Sequence, residues 1–271
     1  MKKGLGLAVV LGAVLTIGGA ARQDVPAVTE NHGGFAFPNP AGTEIIVVHD
    51  IARPAEIHTA ICAGRMMPVR FVRRQFATSA HGDRDSPEQF ADLTGTVFEI
   101  VGERTEPQDT CFVAADSLVQ NAELLPIQPS DRPAECTPGE RRGFAALRQR
   151  RIKSCWSLAR IRPRGLIGLV EYDRIGRSAL ASVIVLTSDR GISADFPAEY
   201  RGEGEEVWRA GDGGGFSPDG FHLPFIIRRT GTYVVAVDWE AEEGHSLSLY
   251  ESRPQAATRQ LIHDYWYRAP R

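Results

Sequence analysis

Apolar and polar residues alternate with a period of two along most of this chain. That period is typical of β-strands, because successive side chains of a strand point to opposite faces of its sheet. The segments that alternate in this way or are rich in β-branched residues are 44–49, 69–76, 96–103, 110–116, 155–161, 165–172, 179–188, 225–229, 232–239 and 260–267. Segment 179–188 is almost entirely apolar, so we predict that it is a central strand covered on both faces.

Three consecutive segments towards the C-terminal end predict an antiparallel meander. Thr230-Gly231 separates segments 225–229 and 232–239 and is a typical hairpin turn. A second turn, which ends at Gly244, leads to an alternating run at 247–249. We therefore expect three neighbouring strands in chain order.

One helix is marked by its capping residues. Thr137 suits the N-cap, Pro138 the first helical position and Glu140 the third, which is the pattern of a capping box. We predict one clear α-helix over about 138–150. Together with the strands, it indicates a mostly β protein, built as an antiparallel β-sandwich or a barrel-like fold.

A proline-rich segment, 126–140, bears on whether the chain forms one domain or two. It holds prolines at positions 126, 129, 133 and 138 and has no periodic apolar face. One interpretation is a linker between an N-terminal β-rich subdomain at 22–125 and a C-terminal subdomain of helix and strands at 141–271. The other is a long loop within one domain, and the sequence leaves both open.

The residues at 1–21 have the composition of a secretory signal peptide. Two lysines form a positive start, the run 5–17 is uncharged and mostly apolar, and small residues follow at 18–21. The run is shorter than the roughly 20 apolar residues that span a bilayer, so we expect cleavage after Ala20 or Ala21 rather than a membrane anchor. The expected location is secreted or periplasmic, with no transmembrane segment after signal removal.

Four cysteines follow the signal peptide, and they are Cys62, Cys111, Cys136 and Cys155. An even number in an exported chain indicates two disulfides. Among the three possible pairings we expect the sequential one, 62–111 with 136–155.

Cys155 lies in the run Ser154-Cys155-Trp156, which matches the end of the motif around a papain-type catalytic cysteine. In that class the cysteine begins a helix, where the helix dipole lowers the pKa of the thiol. Here the predicted helix precedes Cys155, a predicted strand follows it, and Ile152 replaces the first cysteine of the motif. We therefore interpret Cys155 as half of a disulfide and not as a nucleophile.

Basic residues are concentrated in a segment that contains no acidic residue. This arginine-rich segment, 141–164, holds Arg141, Arg142, Arg148, Arg150, Arg151, Lys153, Arg160, Arg162 and Arg164. One interpretation is an anion-binding surface for an anionic envelope polymer or an acidic protein surface. Its residues would be Arg141, Arg142, Arg148 and Arg150.

The other interpretation is that the arginine-rich segment pairs with acidic loops of the same chain. The candidate partners are Glu203, Glu205, Glu206 and their neighbours in the acidic stretch 195–219, which begins with Asp195. We favour this internal pairing, because the formal net charge of −3 shows that acidic and basic residues nearly balance.

No motif of a catalytic, cofactor or metal site stands out. The chain has no H-E-x-x-H, no phosphate-binding or dinucleotide-binding loop and no G-x-S-x-G motif. We therefore assign no catalytic, cofactor-binding or metal-ligating residue, no cofactor and no nucleic-acid partner. The favoured hypothesis is an exported, disulfide-stapled, non-catalytic binding or cell-envelope structural module. The alternative is a secreted hydrolase whose carboxylate and histidine side chains converge from separate loops.

Overall fold

Antiparallel β-strands account for most of the described chain, which confirms the fold class expected from the alternating pattern. A computed structural model describes residues 32–80, 82, 84–148, 150–202, 205–207, 217–241, 243–253 and 256–268, without the side chains of 201, 202, 205–207, 253, 256 and 257. The signal peptide expected at 1–21 lies outside the described residues.

The first six strands close into a barrel. They are β1 (Gly33–Pro38), β2 (Glu44–Val47), β3 (Thr59–Cys62), β4 (Arg65–Gln75), β5 (Gly95–Ile100) and β6 (Cys111–Ala114). They pair in the order β1-β2-β5-β4-β3-β6, and β6 pairs again with β1. Alternate residues such as Val47, Val69 and Phe98 fill the interior, so the period of two in the sequence separates the inside of the barrel from its outside.

The remaining elements build two further sheets. The strands are β7 (Glu123–Leu124), β8 (Ile127–Glu135), β9 (Ile152–Ile161), β10 (Gly165–Tyr172), β11 (Ser178–Leu186), β12 (Gly191–Gly202), β13 (Glu205–Val207), β14 (Phe221–His222), β15 (Ile226–Arg229), β16 (Thr232–Glu240), β17 (Gly244–Arg253) and β18 (Ala256–Tyr267). Two α-helices connect some of them, α1 (Asp116–Val119) and α2 (Pro138–Ala145). Short 3₁₀ turns lie at Pro54–Glu56, Pro87–Asp92 and Pro218–Gly220. The outer sheet has the strand order β13-β12-β11-β10-β9-β8. The inner sheet has the order β18-β17-β16-β15-β7, with β14 beside β16. Strands β15, β16 and β17 are the predicted meander, which is confirmed.

The inner sheet is covered on both faces. Val235 of β16 packs with outer-sheet residues such as Leu169 in one core. Its neighbours Val234 and Ala236 point the other way and pack with barrel residues in a second core. The near-continuous apolar sequence of β16 follows from this double burial. Because the barrel and both sheets share these cores, the described residues between 32 and 268 form one compact unit.

The proline-rich segment 126–140 contains a strand, where its composition suggested a linker or a long loop. Strand β8 is the edge of the outer sheet and pairs with β9. An edge strand needs ladder hydrogen bonds on one side alone, so it tolerates prolines that a central strand would not. The pairing register shifts between Pro129 and Ala134, so Pro133 lies in an irregular part of the ladder.

Helix α2 begins where the capping residues predict and ends at Ala145, before the predicted end near 150. The carboxylate of Glu140 accepts a hydrogen bond from the Thr137 N–H at 2.8 Å, and the Thr137 hydroxyl accepts one from the Glu140 N–H at 3.3 Å. Beyond Ala145 the backbone tightens, because the N–H of Leu147 bonds to the carbonyl of Phe144. The fully buried ring of Phe144 holds the helix on the outer sheet.

Candidate functional site

Arg148 and Arg150 of the arginine-rich segment bind groups of their own chain. Arg148 donates to the carboxylate of Asp195 on β12 at 2.5 Å. Arg150 donates to two backbone carbonyls at the base of the β10–β11 hairpin, at 2.9 and 2.7 Å. These two arginines therefore fasten the chain after α2 to the outer sheet.

Arg141 and Arg142 lie on α2 itself. Arg141 donates to the carbonyl oxygens of Ile152 and Lys153 on β9. Arg142 is exposed on the helix surface. Of the four residues considered for an anion-binding surface, three thus donate to groups of their own chain, while Arg142 faces solvent.

Four carboxylates of the described chain face the arginine-rich segment. The ion pairs are Arg148–Asp195 at 2.5 Å, Arg160–Glu140 at 2.6 Å, Lys153–Glu171 at 2.7 Å and Arg151–Asp173 at 3.2 Å. Asp195 belongs to the acidic stretch considered from the sequence, whereas Glu140, Glu171 and Asp173 lie outside it. Glu203 lies outside the described residues, and so do the side chains of Glu205 and Glu206.

Glu140 links the helix cap to the outer sheet. Burial of its carboxyl group would by itself raise its pKa, but the bonds from Thr137 and the ion pair with Arg160 outweigh burial, and the pKa is lowered. An ionised Glu140 therefore holds both the N-terminus of α2 and the guanidinium of Arg160 on β9 at neutral pH.

Both disulfides of the sequential pairing are present. Cys62–Cys111 joins directly opposed residues of β3 and β6 in the barrel. Cys136–Cys155 joins the residue before the helix cap to β9, in the core beneath α2. All four cysteines are paired, so Cys155 lacks the free thiol that a nucleophile requires.

A buried carboxylate, Asp238, lies on the face of the inner sheet that points to the barrel. It lies two positions after Ala236 on β16 and therefore on the same face, and its side chain is 4% exposed. One oxygen accepts a hydrogen bond from the Thr110 hydroxyl of the barrel at 3.0 Å. The other lies 2.9 Å from Nδ1 of His245 on β17. The barrel and the inner sheet thus share a hydrogen-bonded carboxylate.

A second imidazole–carboxylate contact crosses the same face. His49 follows β2 in the barrel, and its Nδ1 lies 3.4 Å from Oδ2 of Asp264 on β18. This buried oxygen has no hydrogen-bond partner among the described residues. The imidazole packs over Gly34, where a Cβ would come within 2.8 Å of Nε2. We call these residues the junction cluster, and its members are His49, Thr110, Asp238, His245 and Asp264.

His222 and Glu240 lie at the rim of the inner sheet beside the junction cluster. Nε2 of His222 is 3.5 Å from one oxygen of Glu240, and Nε2 of His245 is 4.0 Å from the other. The hydrogen bond with Glu240 raises the pKa of His222. The same bond lowers the pKa of Glu240. The rim pair therefore extends the row of imidazoles and carboxylates away from the barrel.

The pair Asp238–His245 has one feature of a hydrolytic site, because a buried carboxylate orients the imidazole through Nδ1. A hydrolytic triad also requires a hydroxyl or thiol at Nε2. The side chain that faces Nε2 here is the carboxylate of Glu240. This arrangement suits an ionic contact better than the activation of a nucleophile.

Sequence reasoning missed the junction cluster, although it contained part of the signal. In the predicted meander, the register of β16 and β17 places His245 directly opposite Glu240. Counting back across the turn would therefore have paired these two residues. The contributions of His49 and Thr110 depend on how the barrel packs on the inner sheet, and no local pattern reveals that packing.

Comparisons with protein-family models, curated proteins and solved structures found no match to this chain. Within the described ranges, no three His, Cys, Asp or Glu side chains are grouped as a metal site requires. No helix of the described part is long and apolar enough to cross a membrane.

Proposed function

We propose that the protein is an exported, non-catalytic binding or cell-envelope structural module. The placement of the two disulfides is the observation that supports this most directly. One lies in the barrel, and the other ties the start of α2 to the outer sheet. Disulfides persist in oxidising compartments such as the periplasm and the extracellular space. The disulfides thereby stabilise both parts of the fold.

Expression of the complete chain in a bacterial host, followed by fractionation, tests the export. We expect periplasmic or secreted material that begins at Ala21 or Arg22 and resists thiol alkylation until it is reduced. Val14→Arg places a charge in the apolar run and should leave the chain unprocessed, whereas Thr16→Ser should be processed normally. Exported protein that still carries residues 1–21 would contradict the cleavable signal.

An anionic envelope polymer or an acidic protein surface is the partner within this proposal. Arg148 and Arg150 are engaged by their own chain, but Arg142 is exposed. The side chain of Arg151 is 88% exposed, although it pairs with Asp173. Such exposed ion pairs contribute about 0–1 kcal/mol, so an anionic ligand can displace the carboxylate. Arg142 and Arg151 are therefore the contacts that we propose.

Binding to dextran sulfate at low ionic strength tests this surface. Arg142→Ala/Arg151→Ala should weaken the binding several-fold and leave the melting temperature unchanged, because exposed charges add little to folding. Arg65→Ala/Arg70→Ala is the matched control, since it removes two exposed, ion-paired arginines from the barrel. If both double variants lose binding equally, the binding is a non-specific attraction between charges. If the wild-type protein does not bind dextran sulfate, a polyanionic partner is excluded.

A secreted hydrolase is the second candidate, and the pair Asp238–His245 is the observation in its favour. We place it second because the imidazole faces the carboxylate of Glu240 rather than a hydroxyl or thiol. An ester-hydrolysing or glycoside-hydrolysing activity of the wild-type protein that His245→Asn abolishes would reverse this order.

A further inference from the structure

The β10–β11 hairpin of the outer sheet ends in a turn that stands clear of its neighbours. All five residues from 174 to 178 are exposed, and the large apolar side chain of Ile175 is 65% exposed. A Cβ added at Gly176 would meet no atom within 4 Å. We call residues 174–178 the hairpin tip, and it presents an aliphatic side chain directly to solvent.

Hydrogen bonds hold the hairpin tip in one shape. The Ile175 N–H donates to the Ser178 carbonyl at 3.0 Å, and the Ser178 N–H donates to the Ile175 carbonyl at 2.9 Å. Gly176 lies between them with a φ of 59°, which glycine adopts without strain. At the base, the guanidinium of Arg150 donates to the carbonyls of Asp173 and Ser178. A partner therefore meets a preformed surface, which keeps the entropic cost of binding low.

Two arginines flank Ile175 in the hairpin tip. The guanidinium of Arg174 lies over the ring of Tyr200, with its central carbon 3.6 Å from the ring centroid, and this contact leaves its positive charge in place. Arg177 pairs with Glu199 at 2.9 Å, but the two side chains are 71% and 56% exposed. An ion pair this exposed is weak, so a phosphate group can displace the carboxylate.

Guanidinium groups at the base of the hairpin add to this charge. Arg150 contacts carbonyl oxygens, and Arg151 pairs with Asp173 at 3.2 Å. Counted with the contacts of the hairpin tip, four arginines meet two carboxylates, Asp173 and Glu199. These contacts leave an excess of positive charge at the end of the hairpin, and the surface that complements it is anionic.

Charge and apolar exposure together favour a lipid surface over a soluble polymer. A water-soluble polyanion offers charges to the arginines but no apolar environment for the side chain of Ile175. An anionic bilayer offers both, because the acyl chains begin directly beneath the phosphate groups. Arginine side chains are suited to that boundary, since their stems lie along apolar surface while their charged ends stay with the phosphates.

We propose that the hairpin tip binds the surface of a bilayer rich in anionic phospholipid, with Ile175 inserted between the headgroups and with Arg174 and Arg177 on their phosphates. The contact is peripheral and reversible, because even a whole acyl chain holds a protein on a membrane only marginally. It uses other contact residues than the polyanion surface proposed at Arg142 and Arg151. Either proposal can therefore hold without the other.

Co-sedimentation of the exported, oxidised protein with lipid vesicles tests this contact. Vesicles of phosphatidylglycerol and phosphatidylcholine in equal parts should bind the protein at low ionic strength, and pure phosphatidylcholine vesicles should bind it much less. The neighbouring strand β13 carries Glu205 and Glu206, whose side chains lie outside the described residues. The comparison of the two lipids therefore measures the sign of the local charge directly. Equal binding to both vesicles, or no binding to the anionic ones, would overturn the proposal.

Variants of the hairpin tip separate lipid insertion from charge attraction. Ile175→Ser should weaken binding to the anionic vesicles about fivefold, because the inserted apolar surface is lost. It should leave binding to dextran sulfate unchanged, since that polymer has no apolar layer. Arg174→Gln/Arg177→Gln should weaken vesicle binding about tenfold. Melting temperatures should stay unchanged, because all three side chains are exposed.

Phe76→Ser is the matched control for Ile175→Ser. Phe76 is 77% exposed and directly follows β4 of the barrel, which packs on the other face of the inner sheet from the outer sheet. Its replacement should leave vesicle binding unchanged. If it weakens vesicle binding as much as Ile175→Ser does, the hairpin tip is not the site of contact. If Ile175→Ser weakens binding to dextran sulfate and to vesicles equally, lipid insertion is excluded.

NMR of the wild-type protein supplies a readout that needs no variant. A paramagnetic label on the acyl chains should broaden the amide signals of residues 174–178 first. The barrel turn at Gly64 is the internal reference, because a Cβ there would also meet no atom within 4 Å. Its signals should keep their width. Broadening that is centred on the barrel turn, or that spreads evenly over exposed loops, would contradict insertion of the hairpin tip.

Discussion

Replacing Cys62 and Cys111 together with alanine is expected to lower the free energy of unfolding by about 4 kcal/mol. The disulfide closes a loop with a sequence separation of 49 residues, and in the chain-entropy model its loss enlarges the unfolded ensemble by that amount. The bond also holds β6 on β3, where the two cysteines are directly opposed and fully buried. Alanine is the suitable replacement, because a buried serine hydroxyl would add its own desolvation cost. Urea unfolding of the oxidised proteins measures the difference.

The second disulfide provides the matched comparison. Cys136 and Cys155 are separated by 19 residues, so their replacement by alanine should cost about 3 kcal/mol, less than the loss in the barrel. Reduction of the wild-type protein should reproduce the sum of both losses. If the barrel variant loses less stability than the Cys136/Cys155 variant, loop entropy does not govern the contribution of these bonds.

Local patterns in the sequence were sufficient for many of the individual elements, although β1, β3, β8 and β12 were not predicted. The near-continuous apolar runs mark strands such as β10 and β11, because each strand faces one core on each side. The turn at Thr230-Gly231 and the capping residues Thr137 and Glu140 act within a few positions of the chain. Their structures therefore follow from neighbouring residues alone.

The assembly of these elements could not be predicted in the same way. Both a sandwich and a barrel satisfy alternation, and the chain contains both, with the inner sheet between the barrel and the outer sheet. Strand β8 was missed because prolines disfavour strands, yet an edge position tolerates them. Its place at the edge depends on which strand pairs with β9.

The candidate sites show the same limit. Composition identified the arginine-rich segment, but the carboxylates that pair with it come from α2 and from strands of the outer sheet and their connections. Within the junction cluster, Asp264 and His49 are far apart in sequence and meet through packing of two layers. Charge counts give the number of acidic and basic residues that could form ion pairs. Only the fold decides which of these residues come into contact.

Phe144→Ala is expected to lower the free energy of unfolding by about 3–5 kcal/mol, the usual cost of removing a fully buried phenylalanine. The ring packs with Val170, Tyr172 and Ile184 beneath α2. It also covers Gly168 of β10, where a Cβ would collide with the ring. Arg142→Ala on the exposed side of the same helix is the control and should change stability by less than about 0.5 kcal/mol.

A double-mutant cycle with Gly168→Ala shows whether this contact is the reason. In the wild-type background, Gly168→Ala should cost about 1–3 kcal/mol, because the added methyl group overpacks the site under the ring. In the Phe144→Ala background the same methyl group enters the space that the ring has left, so its cost should largely disappear. Additive losses would mean that Gly168 is required by its backbone and not by Phe144. The helix would then owe its position to its fastened N-terminal end, where Cys136 bonds to Cys155 and Glu140 pairs with Arg160.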